Sequence, residues 1–261
     1  MDLRIILAIT CGVIFVLVVI IVPPSVLLSP RTSQFRSTFR KKCQAFSETP
    51  QRCDDLLSLF EDAYVGLDSC DFPLDAYDQL FTKNPFTHSC GKTMFWSKTK
   101  GLVHEFTKKR DHFITLEDTL LGYIMNDQTW CGKKGSKETY TYLCDKCIIN
   151  PETSFWRKAS AEFADYACGD ASVMLDRRTQ EPFDPTSYFG AIEVKRLVHP
   201  RVVNLKVILV TRDNNLNCNR ESLQLLQNML DPNITYSCTP VSESRIRYCI
   251  ERGLTTEACW S

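Results

Sequence analysis

The stretch Val202-Val-Asn-Leu-Lys-Val-Ile-Leu-Val210 decides the fold. β-Branched and apolar residues dominate it, which predicts a buried strand. Downstream, Leu223, Leu226 and Leu230 recur at helical spacing, and Ile234 to Cys238 reads as a second strand. Two strands joined through a helix need a crossover connection, so they lie parallel in a small sheet.

Upstream the periodicity changes. Leu56, Phe60, Ala63 and Leu67 fall on one helical face, with Asp54 and Asp55 near its start. Leu102, Val103 and Phe106 suggest a second helix. Thr115-Leu-Glu-Asp118 is a Thr-x-x-Asp start followed by Leu120, Leu121 and Ile124, which predicts a capped third helix. Trp156, Ser160, Phe163 and Ala167 share one face of a fourth. The expected class is α/β, with a mainly helical first half joined to an α/β second half.

The N-terminal end is different in kind. Ile5 to Val22 carries no charge, and its 18 residues would rise roughly 27 Å as a helix, near the thickness of a hydrocarbon core. Pro23 and Pro24 end the run. The span is long for the apolar part of a cleaved signal, and Val22-Pro-Pro-Ser25 lacks a small-x-small site, so an uncleaved anchor is the preferred reading. The domain plan is then a cytosolic tail over 1–4, a signal anchor over 5–22, a polar, basic stalk over 23–42 and a globular ectodomain over 43–261.

Orientation is contested within the sequence. Arg31, Arg36, Arg40, Lys41 and Lys42 follow the span and only Arg4 precedes it, which by the positive-inside rule would keep the bulk of the chain in the cytosol. The cysteines argue the other way. Of 13, Cys11 lies in the span and twelve are spread from Cys43 to Cys259, a set suited to six disulfides in an oxidising compartment. Asn233-Ile-Thr235, the single N-glycosylation sequon, fits that compartment. Long domains also translocate largely regardless of flanking charge. The expected location is the plasma membrane, single-pass type II, with the domain outside.

Composition narrows function by exclusion. Lys plus Arg and Asp plus Glu are both 31 in 261 residues, so no basic field argues for nucleic acid. The hydrophobic fraction of 44% and aromatic fraction of 11% are those of a packed globular protein. The sequence has no P-loop, no dinucleotide glycine fingerprint, no Gly-x-Ser-x-Gly and no His-Glu-x-x-His. Cys144-Asp-Lys-Cys147 has the look of a zinc or redox pair, but no second ligand pair stands at a matching spacing, so no metal site is expected.

Taken one at a time, the remaining candidates are ordinary. Glu117 and Asp118 suit the first turn of a helix. Trp96 and Trp156 suit a core. Glu193, in Ala191-Ile-Glu-Val194, reads as a solvent-facing carboxylate on an alternating strand. Spacing alone yields no enzyme.

Their order along the chain adds what spacing cannot. Phe95-Trp-Ser-Lys98, Thr115-Leu-Glu-Asp-Thr-Leu-Leu-Gly-Tyr123, Thr129-Trp-Cys-Gly132, Ser154-Phe-Trp156 and Phe189-Gly-Ala-Ile-Glu-Val194 together resemble the ADP-ribosyl cyclase / cyclic ADP-ribose hydrolase family, and within it the vertebrate lymphocyte-surface NAD glycohydrolases. The similarity runs over nearly all of Cys43 to Cys259. It implies two lobes with the active site between them, residues 90–114 joining the C-terminal lobe. It also implies the pairs Cys43–Cys53, Cys70–Cys147, Cys90–Cys168, Cys131–Cys144, Cys218–Cys238 and Cys249–Cys259.

The resemblance likewise implies roles. Glu193 matches the catalytic glutamate, Trp96 and Trp156 the tryptophans flanking nicotinamide, and Glu117 and Asn126 the positions near its carboxamide. Ser97, Lys98, Ser160, Tyr188 and Phe189 match positions lining the phosphate and ribose site. Three of these depart from the lymphocyte-surface pattern: Lys98 stands for Arg, Asn126 for Asp and Tyr188 for Thr.

The implied activity is cleavage of the nicotinamide–ribose bond of NAD to give nicotinamide, ADP-ribose and the calcium-mobilising messenger cyclic ADP-ribose, which is itself hydrolysed. NAD is then a substrate and no cofactor is needed. The partner expectations are NAD, with NADP as a second dinucleotide, the lipid bilayer through the anchor, a second copy of the chain, and no nucleic acid. A catalytically silent receptor ectodomain on the same disulfide scaffold is the alternative.

Overall fold

A computed structural model describes residues 29–260, other than 47–49, 71, 74, 142–143, 145–146, 178–180 and 213–216. The tail and anchor read over 1–22 lie outside the described residues. Among the described residues, no helix is long and apolar enough to cross a membrane.

The first element corrects the stalk. Pro30–Phe46 is a helix, α1, that buries Thr32, Phe35, Phe39 and Cys43 along one face. The period is helical but narrow, with two phenylalanines set among basic residues, and so it passes for linker in the sequence. The Phe39 ring lies 5.5 Å from Phe60 of the next helix, α2 (Pro50–Asp62). Arg36 pairs with Glu61 and Arg40 with Asp54, each at 2.6 Å. Basic residues that looked like topology signals therefore meet the acidic residues of α2, and the folded unit begins by Pro30 instead of Cys43. α2 itself ends before Leu67, which is exposed, because the chain turns at Gly66 with φ of 84°.

A short helix α3 (Asp78–Lys83) completes the first part of the helical lobe. Its core is aromatic. Phe60 contacts Tyr77 and Trp130 at centroid distances of 5.7 and 5.4 Å, and Phe155 contacts Trp130 edge-on at 5.4 Å. Trp130 Nε1 donates to the Tyr77 hydroxyl at 2.9 Å, so the polar atoms of two fully buried rings satisfy each other.

The second lobe is a four-stranded parallel sheet in chain order: β1 (Met94–Ser97), β2 (Gly169–Asp176), β3 (Val202–Thr211) and β4 (Thr235–Ser242). Val173 aligns with Val207, and Val207 with Cys238. Both faces are covered. Val173, Leu175, Val207 and Leu209 join the large core shared with the helical lobe, while Met94, Met174, Ile208 and Val210 pack against Leu102, Val103, Phe106 and Ile246. Burial on two faces explains why Val207 to Val210 shows no polar alternation.

Residues 90–114 belong to this lobe, through β1 and α4 (Lys100–Thr107). The chain then crosses to the helical lobe for α5 (Leu120–Met125) and α6 (Pro151–Tyr166), and returns at β2. α7 (Glu221–Met229) connects β3 to β4, and α8 (Glu243–Arg252) follows β4. Six disulfides fasten the whole: Cys43–Cys53, Cys70–Cys147, Cys90–Cys168, Cys131–Cys144, Cys218–Cys238 and Cys249–Cys259. Cys144 and Cys147 thus belong to two different bridges.

Candidate active site

A cavity of about 660 Å³ opens at the carboxyl end of β1, where ligands of parallel α/β sheets commonly bind. Five segments from both lobes wall it. β1 and the residue after it supply Trp96, Ser97 and Lys98; the turn before α5 supplies Glu117; the end of α5 supplies Asn126; α6 supplies Trp156 and Ser160; and the segment before β3 supplies Tyr188 and Glu193. Of the residues singled out in the sequence for this site, only Phe189 is missing from the wall. Its ring is buried in the core, 5.6 Å from Phe95 and 6.1 Å from Phe183, where an apolar ring gains most from burial.

Glu193 is not on a strand. Phe189–Glu193 is a single wide helical turn, so the apparent alternation of Ile192 and Val194 is incidental and the carboxylate points inward, 6% exposed. The lead-in is tightly bonded. Asp184 Oδ1 accepts from Thr186 N and Oγ1 at 2.9 and 2.6 Å, the Ser187 hydroxyl donates to the Asp184 carbonyl at 2.6 Å, and Gly190 N donates to Ser187 Oγ at 3.1 Å. A Cβ on Gly190 would lie 2.4 Å from the Asp184 carbonyl oxygen, so only glycine lets the turn close this far.

Glu117 and Asp118, adjacent in sequence, take opposite duties. Asp118 Oδ2 accepts from Thr115 N and Oγ1 at 2.9 and 2.8 Å and closes the capping box. Glu117 is freed to face the cavity. The expected single helix is in fact a short 3-10 turn over Leu116–Asp118 and then α5, which starts anew with Gly122 N donating to Thr119 Oγ1. The turn folds back so closely that a Cβ on Gly122 would meet the Leu116 carbonyl oxygen at 1.9 Å.

The two carboxyl groups differ electrostatically. Burial pushes Glu193 from the ordinary 4.5 up to about 8; a hydrogen bond with Ser160 opposes this and the charge of Glu117 adds to it. Burial acts on Glu117 in the same sense, but contacts with His104 and Trp96 outweigh it and hold that carboxyl below its usual range. Trp96 Nε1 donates to Glu117 Oε2 at 3.0 Å. The cavity therefore holds one fixed negative charge and one buried carboxyl that a cationic ligand would help to ionise.

The rim is cationic and pinned. Lys98 has a left-handed backbone, φ 61°, and its ammonium lies 3.7 Å from Asp184. Lys100 pairs with Asp127 at 2.7 Å, and Lys42 of α1 donates to the Asn126 carbonyl. Tyr188, 42% exposed, stands at the mouth. His104, Lys42 and Lys100 were not singled out in the sequence. Lys100 follows Lys98 by two residues, whereas Lys42 and His104 come to the site through the meeting of distant segments, and no local pattern marks them.

Comparison with known proteins follows the same lines. Residues 32–258 match the family model described as ADP-ribosyl cyclase. ADP-ribosyl cyclase/cyclic ADP-ribose hydrolase 1 of Mus musculus is 34% identical over 218 residues, covering 78% of this chain and 71% of that protein. The ADP-ribosyl cyclase/cyclic ADP-ribose hydrolase of Aplysia californica is 29% identical over 205 residues, covering 73% and 72%. Among solved structures, porcine CD38 complexed with a covalent intermediate, ribo-F-ribose-5'-phosphate, is similar at TM-score 0.74 and 34% identity, over 80% of this chain and 96% of that one.

Proposed function

The chain belongs to the ADP-ribosyl cyclase family, and from that membership we propose how its own residues carry the reaction. It is an enzyme that cleaves the nicotinamide–ribose bond of NAD, releasing nicotinamide with ADP-ribose and cyclic ADP-ribose, and it hydrolyses cyclic ADP-ribose. Nicotinamide in NAD is a cationic pyridinium. When the C1'–N bond breaks, the electron pair stays on the ring nitrogen and the base leaves neutral. Unlike ordinary glycosidases, the enzyme needs no acid to protonate the leaving group.

Positive charge is left on the ribose, shared between C1' and the ring oxygen. Glu193 is the catalytic residue in this reading: its carboxylate faces that centre and either stabilises it as an ion pair or traps it by bonding to C1'. Trp96 and Trp156 hold the planar base and exclude water. Glu117 and Asn126 meet the carboxamide. Ser97, Lys98, Ser160 and Tyr188 hold the pyrophosphate and ribose, Lys98 as a point charge without the fork of an arginine. Water attacking C1', with loss of a proton, gives ADP-ribose; attack by the adenine nitrogen gives the cyclic product.

The observation that carries these roles is Glu193, a buried carboxyl facing the cavity between the lobes together with a second, fixed charge. The test is nicotinamide release from NAD by the purified protein, followed chromatographically with Glu193→Gln as control. No release by the parent protein would favour the silent receptor.

We also propose a type II membrane protein with its domain outside the cell. Six disulfides support an oxidising compartment, and Asn233 is exposed in the turn between α7 and β4, open to a glycan.

A further inference from the structure

Glu117 Oε2 has two polar neighbours. One, Trp96 Nε1, belongs to a residue of the cavity wall; the other, His104 Nε2 at 3.3 Å, belongs to a residue that does not line the cavity. His104 stands behind the wall on the last turn of α4, its side chain 22% exposed. Its ring meets Trp96 edge-on, with centroids 5.5 Å apart. Nε2 is buried and, among the described residues, makes no aligned hydrogen bond elsewhere. The approach to Glu117 is an ion-pair distance, close enough for the ring nitrogen to donate with a small rotation.

These contacts form a chain of constraint. A carboxylate withdrawn from water needs donors, and its own main-chain N–H and one neutral indole N–H are thin compensation. The imidazole stands ready as a further side-chain donor from outside the cavity, without using space a ligand needs. Because Trp96 donates to the same oxygen, whatever fixes that oxygen also fixes the plane of the indole. One residue thereby aligns both the charged and the aromatic wall, as outer groups orient the ligands of a metal site.

We propose that His104 is a positioning residue for the nicotinamide end of the cavity, acting through Glu117 on Trp96; this rests on the reading of those two residues as nicotinamide-facing.

The test compares kcat and KM for nicotinamide release from NAD in the parent, His104→Phe, His104→Gln, Glu117→Gln and the double variant His104→Phe/Glu117→Gln, with thermal melts as a check on folding. His104→Phe fills the same volume without a donor, whereas His104→Gln restores one. We expect His104→Phe to lower kcat/KM about tenfold, mostly through KM, since the contacts concerned hold the base alike before and during bond cleavage. His104→Gln should recover most of that loss. In the Glu117→Gln background, His104→Phe should cost less than twofold, because its route to the substrate is already cut.

Parent-like kcat/KM in His104→Phe would overturn the proposal. So would an equal loss with and without Glu117, which would mark a packing role only. Should His104→Phe not fold, His104→Gln decides alone: a cost above tenfold, unchanged in the Glu117→Gln background, overturns it. A Glu117→Gln variant indistinguishable from the parent would instead sink the underlying reading of Glu117.

Discussion

Lys42 Nζ, on the first helix of the fold, donates to the main-chain carbonyl of Asn126 on the cavity rim at 2.5 Å. Burial lowers the pKa of this lysine, partly offset by the charge of Asp127. Asp127 has φ of 59° and is itself held by Lys100 at 2.7 Å. Two consecutive rim residues are thus each pinned by a lysine, one of them from a segment that reads as linker.

Cutting the first of these pins should loosen the rim without touching the chemistry. Lys42→Met is expected to raise KM for NAD about three- to fivefold with kcat nearly unchanged, the scale of one hydrogen bond. Steady-state kinetics on the purified variant decides it, and an unchanged KM would remove α1 from the site.

Phe39 tests where the folded unit begins. Its ring is fully buried against Phe60, so Phe39→Ala should destabilise by about 3–5 kcal/mol, the usual cost of deleting a core aromatic. Chemical denaturation measures this. A loss under about 1 kcal/mol would return residues 30–42 to a linker role.

Glu193→Gln is expected to lower turnover at least about 100-fold with the fold intact, the scale of a lost electrostatic stabiliser. It should also alter the pH dependence of stability. The folded-state pKa of Glu193, about 8, lies above the ordinary 4.5, so the folded protein binds the extra proton between those values. The stability tied to that proton is fully present below about pH 4.5 and is lost as pH rises through about 8. Relative to the parent, Glu193→Gln should therefore melt at a comparatively higher temperature at pH 9 than at pH 5. For the free enzyme, kcat/KM should climb with pH toward about 8, as the carboxylate becomes available without help from substrate. A flat profile over pH 5–8 would count against Glu193 as the required ionised group.

Tyr188 bears on product choice. An aromatic ring at the mouth can stack on adenine and favour the folded conformer that closes the ring, whereas a small polar residue leaves room for water. Stacking worth about 1 kcal/mol corresponds to roughly a fivefold shift in partitioning. Tyr188→Thr should accordingly lower the cyclic-to-linear ratio, read by chromatography of products at fixed NAD. An unchanged ratio would take Tyr188 out of the account.

Asn233 reports topology. Treatment of cell-expressed protein with a glycosidase should increase its mobility, and Asn233→Gln should abolish that change. Protection of the domain from external protease on intact cells would support the opposite orientation.

Much of the architecture is legible from the sequence where burial is one-sided or complete. β3 is, because Val207 to Thr211 are buried without a break; α6 is, because Trp156, Ser160 and Phe163 keep strict spacing. β1 is only four residues long and escapes notice, and β2 carries Gly, Asp, Ala and Ser at its start, a poor match to strand preferences. α8 carries only a narrow stripe, Ile246, Cys249 and Ile250, set among charged residues, and is easily passed over.

Within the site, ordered motifs mark Trp96, Glu117, Trp156 and Glu193, yet local pattern misjudges two settings. Glu193 looks like a strand residue because Ile192 and Val194 flank it, and Glu117 looks like a cap because it shares a turn with the residue that is one. Lys42 and His104 leave no trace in one dimension, since their significance is entirely a matter of what the fold brings to them.

The order in which the sheet's strands occur along the chain has a consequence for its synthesis. β1 is made early, at Met94–Ser97, but its one sheet neighbour, β2, begins about 70 residues later. At about 5–20 residues per second this leaves β1 without a partner for roughly 4–15 s. During that interval Met94, Phe95 and Trp96 form a bare apolar edge, the kind of surface other chains and chaperones seize. The segment that supplies the cavity with an aromatic wall is thus also among its most vulnerable during biogenesis. Substitutions in it should reduce the yield of folded protein before they reduce the activity of the molecules that survive.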